Sequence, residues 1–178
     1  MNLADIVSHQ QQKAAQQMHD AQHWQARHDK WLSEINRLFS DITAWLREAG
    51  VAADAIEQTQ QTLYEEQLGQ YPTPVLKVAI GLNHITFQPK GTFLIGAYGR
   101  IDATSDLADT PAVKLVADID QSPATAPDTP AHEQDWQWLV YPGGARPGGH
   151  VLDKETFADL IALLLEKTSN TSSNNNTP

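Results

Sequence analysis

Apolar side chains recur at alternating three- and four-residue steps through residues 3–49. Leu3, Val7, Ala14, Ala21, Trp24, Trp31, Ile35, Leu38, Ile42 and Trp45 fall on that spacing, and Gln10, Gln17 and His28 fill its remaining slots. The pattern predicts one long amphipathic helix. A second row (Met18, Leu32, Phe39 and Leu46) joins from Met18 onward, so the apolar face is narrow at first and broad later. A broad face suits packing on a core, whereas a narrow seam suits a coiled coil. Asn2 fits the N-cap, and Gly50 fits the left-handed position that ends a helix.

A second helix is expected over residues 54–68, with Ile56, Leu63, Tyr64 and Leu68 on one side and Gly69 after it. Tyr71, Pro72, Thr73 and Pro74 would break it, so the two helices form an antiparallel hairpin. Beyond Pro74 the period becomes two. Strands are expected at 75–80 and 84–88 around a turn of Gly81, Leu82 and Asn83, and then at 92–97, 113–119 and 136–141. Short connections favour an antiparallel meander. The last helix has Asp153 as cap, Leu152 and Phe157 as a hydrophobic staple, and Leu160, Ile161, Leu164 and Leu165 as its buried stripe.

The fold class is therefore α+β, in three parts. Residues 1–70 form a coiled-coil-like helical arm or hairpin. Residues 71–167 form a five-stranded antiparallel sheet with a C-terminal helix packed on one face. Residues 168–178, almost all Ser, Thr and Asn, are expected to be disordered.

Charge narrows the list of partners. The 178 residues carry 12 basic and 22 acidic side chains, a net −10. The excess is spread over both halves and no basic face emerges, which argues against nucleic acid and anionic membranes. No Cys is present, which excludes disulfides, thiolate metal sites and Cys nucleophiles. Neither a signal sequence nor a membrane span is visible, so a cytoplasmic protein is expected. Residues 1–30 stand apart, with seven Gln, four of the seven His and small residues in the seam. As helix they would reach about 45 Å, so part of the helix should project or meet another chain.

Candidate chemistry is sparse. His19 and His23 are one helical turn apart and could grip a metal, but no third ligand aligns, and they read as solvated residues on the outer helix face. His28, in the seam between Trp24 and Trp31, reads as a ring-packed, hydrogen-bonded histidine rather than a pH switch. Asp118 and Asp120 end a strand, as carboxylates do in Mg²⁺ sites. Residues 101–145 hold eight acidic groups against Lys114 alone, which reads as solvated loops guarding strand edges. The segment Gly143, Gly144, Ala145, Arg146, Pro147, Gly148, Gly149, His150 joins a strand to a helix, and Arg146 and His150 could serve an anion there. It lacks any phosphate-loop spacing, and Asp153 puts a carboxylate where a phosphate would sit, so it reads as a connector. Arg100 and Asp102 share a strand face and can pair. No catalytic residue, cofactor or metal is assigned.

The sequence thus points to a non-enzymatic interaction or assembly protein. Its helical arm would bind a protein partner or a second copy in a homo-oligomer, through Leu3, Val7, Ala14, Ala21 and Trp24. Two alternatives stand beside it. One is a small ligand-binding or enzymatic domain using the sheet face or the 143–150 loop. The other is an acidic inhibitor or immunity-type protein for a basic partner.

Overall fold

The computed structural model describes residues 2–92, 97–122, 126, 128–143 and 146–166. A single helix, α1 (Leu3–Glu48), leads into seven strands: β1 (Ile56–Glu65), β2 (Gly69–Ile80), β3 (Asn83–Gly91), β4 (Gly99–Ser105), β5 (Val113–Ile119), β6 (Trp136–Tyr141) and β7 (His150–Val151). Helix α2 (Lys154–Leu165) follows. All the strands pair antiparallel in sequence order, so the sheet is a simple meander.

Both ends of α1 are closed locally. Asn2 accepts the Asp5 N–H at 2.9 Å, and Asp5 accepts the Asn2 N–H in return. At the other end Gly50 takes φ +97°. Its N–H reaches the Arg47 carbonyl, and the Val51 N–H reaches Leu46. That pair of bonds satisfies carbonyls that an ending helix would otherwise leave unpaired.

One face of the sheet is apolar. Strand register aligns Leu76 and Val78 with Phe87 and Ile85, then Ala103 and Ile101, then Val113, Leu115 and Ala117, then Trp138 and Val140. All are buried. Helices α1 and α2 both cover this face and touch each other through Trp45 and Phe157. From α1 come Trp31, Ile35, Leu38, Phe39, Ile42 and Leu46; from α2 come Phe157, Leu160 and Leu164. Trp31 sits where a side chain at position 99 would be: a Cβ on Gly99 would lie 2.1 Å from the Trp31 ring.

The sheet has seven strands, two more than the sequence pattern suggested. The larger correction is at residues 54–74. The expected second helix is β1, and the helical hairpin is a β-hairpin whose second strand carries Pro72 and Pro74. β2 pairs with β3 only from Leu76 onward, so the prolines lie where one edge of β2 has no strand beside it. A missing N–H costs little at such an edge. Gly69, expected to stop a helix, takes φ +68° after the turn between β1 and β2. In β2 the burial phase changes at the prolines: Tyr71 and Thr73 are buried before it, and Pro74, Leu76 and Val78 after it.

Elsewhere the local readings match the structure. The turn between β2 and β3, strands β5 and β6, and the Asp153 cap of α2 lie where the pattern put them. The strand expected at 92–97 falls mostly outside the described residues, and β4 begins at Gly99. The tail at 168–178 also lies outside them.

Two substitutions test this packing. Leu164→Ala should lower unfolding free energy by about 2–5 kcal/mol, because it empties a fully buried site. Gly99→Ala should cost about 1–3 kcal/mol or more, since the buried Trp31 ring has nowhere to move. Urea titration followed by tryptophan fluorescence reads both.

Candidate functional site

Every residue from 2 to 22 is exposed, although all but Asn2 belong to the same continuous helix as the core residues. Leu3 is 75% exposed, Val7 45% and Met18 66%; Ala14, Ala21, Gln10 and Gln17 are exposed as well. This arm covers about 30 Å. None of the described residues outside α1 buries it. Its own support is local: the Asn2 cap and a Gln16–Asp20 hydrogen bond at 2.9 Å. An unpacked helix of this length is marginal in water.

The arm is rooted in a cluster of rings and cations. Trp24 is half-buried. The Arg27 guanidinium lies 5.6 Å from the Trp24 ring and 5.1 Å from Tyr98, and Tyr98 packs on Trp136. Lys30 lies over Trp136 and binds Glu34 at 3.2 Å; Arg37 closes on the same carboxylate from the next turn. Arg27 is therefore met by ring faces, an arrangement that favours a cation without a carboxylate. Among the described residues, buried Nε of Arg27, Nε2 of His28, Nδ1 of His132 and Nε1 of Trp138 have no hydrogen-bond partner.

Two histidine readings change here, those of His23 and His28. His23 does not face outward with His19; its ring meets His132 at 5.7 Å. His19 is exposed, 3.8 Å from Asp20. His28 packs edge-on against Tyr71 at 4.5 Å, but its Nε2 lacks the expected hydrogen bond. Among the described residues no three His, Asp or Glu side chains converge as metal ligands.

The second concave feature is an open cleft of about 680 Å³ lined by Tyr64, Glu65, Glu66, Gln67, Lys90, Gly91, Arg100 and Asp102. Its floor is the buried Glu65 carboxylate. Glu65 accepts the Thr92 N–H at 2.6 Å and the Thr92 hydroxyl at 2.8 Å on one oxygen, and the Tyr71 hydroxyl on the other. Gly91, at φ +136°, lets the chain pass close to that carboxylate; a Cβ there would sit 3.0 Å from it. Arg100 grips Asp102 with two bonds, at 2.6 and 2.8 Å, as their shared face suggested. The pairing holds the guanidinium more firmly protonated. Burial, then the Glu65 hydrogen bond and charge, push the Tyr71 hydroxyl well above its ordinary range.

The sequence did not reveal this group. Read as helix, residues 54–68 hold Glu65 apart from Tyr71; only the β-hairpin brings them together. The β-branched Thr59 and Thr62 ahead of a glycine turn were the available signal.

Arg146 and His150 form no site with this cleft. Both are exposed, and His150 of β7 pairs with Val140 of β6, so a strand stands between the glycine-rich stretch and α2. Gly144 and Ala145 lie outside the described residues. The Asp153 carboxylate accepts the Thr156 N–H at 2.8 Å and occupies the start of α2. Asp118 caps its neighbour's N–H, and Asp120 binds Ser122. They lie at the end of β5, an interior strand; the edges of the sheet are β1 and β7.

Tyr71 supplies a pH test. Its raised folded-state pKa stabilises the fold fully below the unfolded value of about 10. That contribution is lost as pH rises above it and through the folded value. In a tyrosinate absorbance titration, Tyr71 should stay protonated until the chain unfolds in alkali. Tyr71→Phe should remove the late ionisation and cost about 1.5–3 kcal/mol, because it strips a donor from a buried carboxylate.

Among the described residues no helix is long and apolar enough to cross a membrane. No family model, curated protein or solved structure matches this chain.

Proposed function

We propose that this chain is an interaction or assembly protein that presents the first turns of α1 as a docking arm on a rigid α+β body. The observation that carries the reading is the complete exposure of residues 2–22 in a helix whose later turns are buried. Such a helix gains most of its stability from packing an apolar face, and here that face, with Leu3, Val7, Ala14 and Ala21, is exposed among the described residues. Ile6 and Met18 widen the patch.

The cleft at Glu65 and Arg100 favours a second reading, a small-ligand site on the sheet. It ranks below the arm because most of its charges are already engaged. Arg100 is held by Asp102, Lys90 by Gln88 and Glu65 by Tyr71 and Thr92. A ligand would have to displace partners the fold has supplied.

Deleting residues 1–20 should leave a folded body with the same near-ultraviolet tryptophan signal. It should also lower the oligomeric mass or abolish partner capture. Light scattering over a range of concentrations, with a pull-down from the native host, compares the two chains. Unchanged mass and unchanged capture would move the search to the cleft.

A further inference from the structure

We infer that the free edge of β1 pairs with β1 of a second copy of this chain, antiparallel and centred on Gln60, so that two sheets become one. The inference goes beyond the arm, and residues 1–20 take no part in it. The two edges of the sheet differ. β7 is two residues long and pairs with β6 only at Leu139 and Val140. β1 runs for ten residues and pairs with β2 at each of them, without a bulge. Among the described residues no strand lies on its outer side. Folded proteins blunt a long edge with Pro, Lys, a bulge or a cover. β1 contains neither Pro nor Lys, and its Glu57, Gln58, Thr59, Gln60, Thr62 and Tyr64 are exposed.

The hairpin fixes which backbone groups point outward. Glu65 partners Gly69 across the turn, and the Leu68 N–H reaches the Glu65 carbonyl. No tighter pair fits inside that turn, so Glu65 and Gly69 exchange the last backbone bonds of the hairpin. The alternation of an antiparallel ladder carries this back along β1. Glu57, Thr59, Gln61 and Leu63 therefore turn their N–H and C=O groups toward β2. Gln58, Gln60, Thr62 and Tyr64 turn theirs outward. Ile56 offers its carbonyl there, while its N–H bonds Ala53. Pairing centred on Gln60 joins Gln58 to Thr62 of the second copy, Gln60 to its own counterpart, and the Tyr64 N–H to the Ile56 carbonyl of the second copy. Every outward group of Gln58, Gln60 and Thr62 is then bonded.

Length, symmetry and charge select a second copy as the occupant. Its β1 covers the edge from Ile56 to Tyr64. The short β7 offers no such length, so copies join only β1 to β1, a two-fold contact that closes instead of running on into a fibre. The chain carries a net −10, yet the stretch from Gln58 to Tyr64 holds no charge. In the register centred on Gln60, Glu57 lies opposite Leu63 of the second copy, and Ile56 opposite its Tyr64. One step along, centred on Gln61, Glu57 would face Glu65, and like charges directly opposite destabilise a sheet. Asp54 and Glu66 of the second copy come level only beyond the strand ends. That leaves a residual repulsion which salt screens, so the dimer should tighten as salt is raised.

The chain has no Cys, so introduced thiols report on this contact alone. Full-length Gln60→Cys should link to itself on mild oxidation, since paired Cα atoms lie about 5.5 Å apart, within disulfide reach. Gln58→Cys alone should not, because its two copies lie about 14 Å apart along the strands. Mixed with Thr62→Cys, it should. Gln60→Lys, at an exposed position, sets two like charges together on the two-fold axis. It should weaken dimerisation roughly twofold to fivefold by light scattering, with the near-ultraviolet tryptophan signal unchanged. Gln58→Cys linking to itself as readily as to Thr62→Cys would overturn the register centred on Gln60. A Gln60→Cys chain that stays unlinked, or a dimer indifferent to Gln60→Lys, would overturn the edge as the interface. None of these variants alters residues 1–20, so failure of the edge leaves the arm reading standing, and a silent arm leaves the edge.

Discussion

The seating of Trp31 on Gly99 organises this molecule. A strand residue with a side chain at position 99 would collide with the indole, and a smaller residue at 31 would leave a hole over the centre of the sheet. Because the contact is so close, it sets both the height of α1 over the sheet and its rotation. Trp138 packs on the same ring at 6.0 Å, which ties the helix to β6 as well as β4. From that point to Leu46 the seam is committed to the core. From Ala21 back to Leu3 the seam is exposed.

A core of this kind is one-sided. The sheet buries its apolar face under two helices, and the other side carries polar ladders. There Gln61 bridges Thr73, Gln88 and the Pro89 carbonyl, and Arg100 pairs with Asp102. The β1–β2 hairpin departs from the pattern. Ahead of Pro74 it buries Tyr71 and Thr73, with Glu65 from β1, and that carboxylate is taken out of water with the Thr92 N–H, the Thr92 hydroxyl and the Tyr71 hydroxyl on it. A buried carboxylate without such donors would be costly, so the hairpin, the Thr92 backbone and Tyr71 depend on one another.

The same helix thus serves two environments. Over the sheet, rings and aliphatic groups at its seam are sealed from water. On the arm, the seam is lined by Ala and Gln with apolar groups at the tip, all exposed. The root, where Arg27 lies between Trp24 and Tyr98, joins these regimes by packing a cation on rings. A charge held this way needs no buried acceptor, and the helix can pass from core to solvent without a break.

The sequence by itself determined the elements whose signals are local. The cap at Asn2 and the stop at Gly50 bound α1, Asp153 with Thr156 starts α2, and Gly81 turns β2 into β3. The narrowing of the apolar face toward Leu3 marked the exposed arm. These signals act within a few residues, so they can be read without the fold. Only the tertiary structure decided that residues 56–74 form a hairpin, that Tyr71 meets Glu65, that His23 meets His132, and that Gly99 receives Trp31. Gln- and Thr-rich segments have weak preferences of their own. Strand pairing and burial outweigh those preferences, and the partners that supply them lie far away in the chain.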